Sequence, residues 1–180
     1  MIFLIEIVFG VCVLALAFAA FLAWDVLRKD EGSEKMQAVS NAIRQGANAF
    51  FKRQYTTIAV LFVALSIVIF LAYSYLGEQN LGVLTSVSFI FGAISSSLAG
   101  FIGMWIAIRA NIRTASGARR SMNDALTIAF RGGAVSGLLI ITMSILGVVI
   151  LYTLLTYIGV PAEEIPFSII GYGFGASFVA

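Results

Sequence analysis

The sequence predicts an all-α fold: a polytopic transmembrane helix bundle with four complete helices and the start of a fifth. Three observations carry that prediction. The 180 residues are 61% hydrophobic and only 11% charged, where a soluble domain carries about 25% charged residues. A soluble core of this size could not hide so much apolar surface, whereas lipid can take it. Apolar runs of twenty residues or more recur, and at 1.5 Å per residue each crosses the roughly 30 Å hydrocarbon layer. Finally, the eleven basic residues fall in two blocks, 28–53 and 109–131, between those runs.

The first helix is expected over about 2–24, an apolar run interrupted only by Glu6. A signal peptide is the competing reading. The run is long for one, has no basic residue before it, and ends in Trp24-Asp25 rather than a small-residue cleavage site. Ala15, Ala17, Ala19, Ala20 and Ala23 give it a close-packing surface. A polar stretch follows. Within it, residues 34–51 form an amphipathic helix, with Met36, Val39, Ile43, Gly46, Ala47 and Phe50 recurring at three- and four-residue steps. This helix is expected to run into the second span, about 56–76, whose Tyr73 and Tyr75 suit an interfacial aromatic belt.

The short Gly77-Glu78-Gln79-Asn80 connector makes the second and third helices antiparallel neighbours. The third, about 81–110, exceeds a membrane span and must tilt or project. Small residues at Gly92, Ser96 and Gly100, with Gly133 and Gly137 on the fourth helix, predict close packing of these two helices against their neighbours. Residues 109–120 form the second basic connector, helical or bent at Gly117. Ser121 is the expected N-cap of the fourth helix, about 122–155, with Asp124 at the capping-box position. Arg131 lies two turns into it. A lipid-exposed arginine is costly, and Asp124 is too far for an i,i+4 pair, so its partner is expected on another helix. After a connector with Pro161, Glu163, Glu164 and Pro166, the chain is apolar again over 167–180. Fourteen residues cover about 21 Å, too little to span. They read as a fifth helix cut short.

With these helices, both basic blocks share one side of the bilayer, and the opposite connectors hold only Glu78, Glu163 and Glu164. The positive-inside rule puts the basic connectors in the cytoplasm and the N-terminus outside.

The residue inventory excludes several kinds of chemistry. There is no histidine, so the usual general base at neutral pH is missing. The single Cys12 can form neither an internal disulfide nor a thiolate zinc site. Asp30, Glu31 and Glu34 are the densest acidic cluster. They read as a solvated loop rather than a magnesium site. Gly171, Gly173 and Gly175 lie in an apolar run with no following Lys, unlike a phosphate-binding loop. Eleven basic residues set among membrane helix ends do not suit nucleic acid.

Four stretches, taken in their order and spacing, do carry a specific likeness. They are 42–55 (AIRQGANAFFKRQY), 100–115 (GFIGMWIAIRANIRTA), 129–137 (AFRGGAVSG) and 171–177 (GYGFGAS). Together they resemble the membrane-bound, ion-pumping inorganic pyrophosphatases, over most of the chain from Gly32 onward. Asn48 and Trp105 depart from the pattern at positions that read as packing.

The resemblance implies a protein of about sixteen helices working as a homodimer in a lipid bilayer, in a prokaryotic cell inner membrane. It implies pyrophosphate hydrolysis at the cytoplasmic face with magnesium, potassium being a candidate second cation, coupled to outward movement of protons or sodium. Residues 1–180 would be the N-terminal part of the larger multi-helix domain, an outer-ring scaffold packed against inner-ring helices of the same protein. Pyrophosphate and magnesium would bind elsewhere. No catalytic, cofactor-binding or metal residue is expected in this segment, which alone would be inactive. Arg131 and Asn111 are conspicuous but read as structural. The competing reading is a small non-enzymatic transporter subunit or membrane assembly protein, complete at this length.

Overall fold

A computed structural model describes residues 2–179, so Met1 and Ala180, the last residue of the expected fifth helix, lie outside the described residues. Five helices follow in order: α1 (Ile2–Leu27), α2 (Glu34–Tyr75), α3 (Gln79–Ala118), α4 (Met122–Tyr157) and α5 (Ile165–Val179). No strand occurs among the described residues. Four of the helices are long and apolar enough to cross a membrane, and α5 is a shorter apolar helix.

The helices are longer than the apolar runs alone suggest. The amphipathic stretch and the second span are one unbroken helix of 42 residues, about 63 Å at the standard rise. Helix α3 continues eight residues beyond the expected end at 110, through the second basic connector to Ala118. Polar residues at a helical period continue a helix into water as readily as apolar ones continue it in lipid. Local chemistry sets the ends. Gly77 (φ +85°) and Gly159 (φ +79°) adopt the left-handed conformation that favours glycine. Each closes a Schellman motif: Glu78 N donates to Tyr73 O (3.0 Å) and Gly77 N to Ser74 O (3.1 Å), while Val160 N donates to Leu155 O (3.0 Å) and Gly159 N to Thr156 O (3.2 Å). Asp124 N donates to Ser121 Oγ at 3.1 Å, which makes Ser121 the N-cap of α4.

The chain forms two compact units, and each long helix contributes residues to both. One comprises residues 1–9, 54–98 and 143–180. Its core brings Leu151, Leu155, Ile165 and Tyr172 together, with Leu84 and Phe91 of α3 packed against them. Here α3 and α5 approach at backbone distance. A Cβ on Gly175 would stand 1.9 Å from Phe89 O, one on Gly92 2.0 Å from Tyr172 O, and one on Gly171 2.7 Å from Thr85 O. Tyr172 also reaches α4, donating its hydroxyl to Met143 O at 2.9 Å across Gly147.

The other unit comprises residues 10–53 and 99–142. Leu22 of α1, Ile106 of α3 and Val135 and Leu139 of α4 form its core. Val26, Ala110 and Ile128 form a second layer. Phe51 of α2 packs on Phe101 of α3, ring centroids 5.4 Å apart.

The glycine expectation needs correction. Helices α3 and α4 meet through Gly103, where a Cβ would lie 3.0 Å from Ser136 Oγ, and through Gly132, where one would lie 2.8 Å from Ala110 Cβ. Nothing stands within 4 Å of a Cβ on Gly133 or Gly137. Successive helical residues point about 100° apart, so the contact face holds Gly132 and Ser136 and turns their neighbours away. Gly92 packs on α5, not α4.

Candidate functional site

The polar chemistry of this chain is concentrated where α1 ends and the first basic block begins. Helix α1 has no basic residue in its last turn, so nothing of its own offsets the partial negative charge of its C-terminal carbonyls. Arg113 of α3 supplies the offset. Its Nη2 donates to Leu27 O at 3.0 Å and its Nε to Lys29 O at 3.1 Å, while Nη1 donates to Arg109 O at 2.8 Å. The side chain is buried, with 7% of its surface exposed.

Its counter-charge is Glu31. Arg113 Nη2 and Arg44 Nη2 lie 2.8 Å and 3.2 Å from the same oxygen, Glu31 Oε1. The α1–α2 loop is thus held to both α2 and α3. Beside it, Ser116 Oγ donates to Asp30 Oδ2 at 2.7 Å, and Arg120 Nη1 lies 3.9 Å from that oxygen. The Ser116 hydroxyl, the Gly32 backbone N–H and the nearby Arg120 and Arg119 hold the Asp30 carboxyl below the usual carboxylate range.

Arg131 finds its partner on another helix, as its position requires: Nη1 donates to Asp25 Oδ2 of α1. Lys29 Nζ lies 3.5 Å from the other oxygen of Asp25. Asn111 is exposed on α3 and lines an apolar groove of about 410 Å³ with Met36, Val39 and Ile43 of α2 and Ile108 and Ile112 of α3.

The acidic cluster is not the solvated loop that the sequence suggested. Glu31 is tied to two arginines, Asp30 to Ser116, and Glu34 opens α2. Carboxylates engaged in this way do not suit magnesium, which binds through carboxylates free to face it. No group of three or more acidic, Cys or His side chains converges on one point among the described residues. The Gly171–Gly175 stretch is likewise used by α5 to approach α3. What sequence reasoning missed is Arg113. It sits among other arginines in a basic run, and nothing in that run marks it as the one that turns inward to cap a different helix.

These features define an integral membrane protein: apolar helices long enough to span, with arginine and carboxylate side chains fastening their polar ends. The family model for inorganic H+ pyrophosphatase matches residues 13–180, and the chain belongs to that family. A K(+)-insensitive pyrophosphate-energized proton pump 2 from Moorella thermoacetica is 46% identical over 93% of this chain. Pyrophosphate-energized membrane proton pump 3 from Arabidopsis thaliana is 38% identical over 98% of it. A K(+)-insensitive pyrophosphate-energized proton pump from Caldanaerobacter subterraneus subsp. tengcongensis is 42% identical over 98% of it. The chain spans about a quarter of the length of these relatives (24%, 24% and 26%).

Proposed function

We propose that these helices are the N-terminal scaffold of a primary pump that couples cytoplasmic pyrophosphate hydrolysis to outward proton movement. One observation carries the reading: identity of 38–46% to three proteins named as pyrophosphate-energised proton pumps, sustained over 93–98% of this chain. That identity also weighs against a small non-enzymatic subunit. The names favour protons over sodium and turnover without potassium, since two of the three are called K(+)-insensitive.

Magnesium is the cofactor proposed for the whole protein, where it would offset phosphate charge. It would be held by residues outside 1–180, because the carboxylates here are engaged by arginine and serine. A homodimer in a prokaryotic cell membrane, N-terminus outside, completes the proposal. The role of this segment is mechanical. A rigid frame lets inner helices exchange arrangements as the site fills and empties, which coupling requires.

The test uses the full-length protein in inverted membrane vesicles. Pyrophosphate should acidify the lumen, read by quenching of a pH-sensitive dye, at the same rate in potassium-free and sodium-free buffer. Phosphate release without acidification, or acidification only when sodium is present, would overturn the proton-pump reading.

A further inference from the structure

The two helices that flank α3 in the unit of residues 10–53 and 99–142 present opposite chemistries at one depth. Helix α1 runs parallel to α3, with Leu22 against Ile106 and the Leu27 carbonyl against Arg113. Helix α2 runs antiparallel to it, with Phe51 against Phe101 and Gly32, just before α2, against Ser116. Counting along each helix from these contacts puts Phe18 and Phe21 of α1 beside α3 residues about 102–105, and Asn48 and Lys52 of α2 beside about 104 and 100.

At that level α1 is built for lipid. Leu14 is 71% exposed, Phe18 54% and Phe21 56%. An α-helix needs about 20 apolar residues to span, and α1 reaches that number only if its apolar run through Trp24 is in hydrocarbon. Yet α2 at the same level exposes Asn41, Gln45, Asn48 and Lys52, a stripe of steps four, three and four along one face. By the α1 scale, Asn48 lies about 6 Å and Lys52 about 11 Å inside the level of Trp24. Amide and ammonium groups facing lipid at that depth are strongly disfavoured, even with snorkelling.

The charge on this stretch has one sign. Between Glu34 and Glu78 the sequence holds Lys35, Arg44, Lys52 and Arg53 and no Asp or Glu. Of these, only Arg44 reaches the Glu31 carboxylate, and its Nε is buried without an acceptor.

We infer that the Asn41–Gln45–Asn48–Lys52 face of α2 is a docking surface inside the membrane for a helix that carries carboxylate side chains. Such a helix shields the amides from lipid and supplies the negative charge that α2 lacks. The surface is independent of which substrate the protein hydrolyses, so its test uses no activity measurement.

Nitroxide labels are placed on the full-length protein in bilayers, in a background without other cysteines, at Asn48→Cys and Phe18→Cys. Accessibility to lipid-soluble oxygen and to a water-soluble nickel chelate is read at each site. The Phe18 site should respond to oxygen, and the Asn48 site should be several-fold less accessible to both reagents. An Asn48 site as oxygen-accessible as the Phe18 site would mean that α2 faces lipid and would overturn the inference. An Asn48 site open to the nickel chelate would replace the helix by a water-filled cleft and overturn it too. Carbodiimide coupling then identifies the partner: Lys52 should join to a carboxylate on another membrane helix, with the product lost in Lys52→Gln. A link that maps only within residues 1–180, or to a second copy of α2, would also overturn it.

Discussion

Removing the Arg113 guanidinium would leave the Leu27, Lys29 and Arg109 carbonyls and one oxygen of Glu31 without their donor. Breaking a buried ion pair from one side costs about 3–5 kcal/mol, because the remaining charge stays buried without compensation. Arg113→Ala should therefore lower the thermal midpoint of the purified full-length protein markedly. Arg113→Lys should recover only part of the loss, since an ammonium cannot reproduce the fork that reaches two carbonyls of α1. Equal midpoints for the lysine variant and the wild type would show that charge alone is used. Asp30 makes a prediction of the opposite kind. Its carboxyl is held below its ordinary value, near 4, chiefly by the Ser116 hydroxyl. A depressed carboxylate contributes stability above its unfolded-state pKa, and that contribution is lost as pH falls through the folded-state value. Thermal midpoints measured between pH 6 and pH 3 should fall less steeply for Asp30→Asn than for the wild type. Parallel curves would show that the hydrogen bond does not act on the carboxyl. Neither role was legible in the sequence, where Arg113 and Asp30 look like ordinary members of charged runs. The partner of Arg131 was legible, because the cost of an unpaired arginine beside lipid required one on another helix.

At the scale of the element, apolar runs announced the four long helices, and Ser121 announced the start of α4. What the runs could not announce was how far the helices continue once they leave the apolar stretch. The helical period of residues 34–51 and 111–118 persists while their composition becomes polar. Nor could small residues say which helices they join. The sequence marks Gly92, Gly100, Gly133 and Gly137 equally, and only geometry separates the glycines that admit a neighbour's backbone from those that face open space. Gly175 and Gly173 give a matched test. A Cβ at Gly175 would collide with Phe89 O, whereas nothing lies within 4 Å of one at Gly173. Gly175→Ala should push α5 off α3 and destabilise the protein by about 1–3 kcal/mol, the usual cost of overpacking. Gly173→Ala should leave the midpoint unchanged or slightly raised, since alanine is the better helix former by about 1 kcal/mol. Equal effects of the two would refute the close α3–α5 contact.

For the molecule as a whole, the distribution of charge bears on which way it sits in the membrane. Six basic residues lie in 28–53 and five in 109–131, and the connectors after α2 and α4 hold only acidic ones. The same basic blocks are fastened by Glu31, Asp30 and Asp25 into the ends of α1, α3 and α4, so the residues that orient the chain also brace it. If the basic side is cytoplasmic, as the positive-inside rule requires, Lys35 and Glu163 must face opposite compartments. Both are exposed, one at the start of α2 and the other in the connector before α5. A membrane-impermeant maleimide should label Lys35→Cys in inside-out vesicles but not in intact cells, and Glu163→Cys in intact cells but not in inside-out vesicles. The reverse pattern would place the arginine-clamped helix ends outside the cell. Pyrophosphate made in the cytoplasm would then meet the acidic connectors, and the proposed direction of pumping would fall with the orientation.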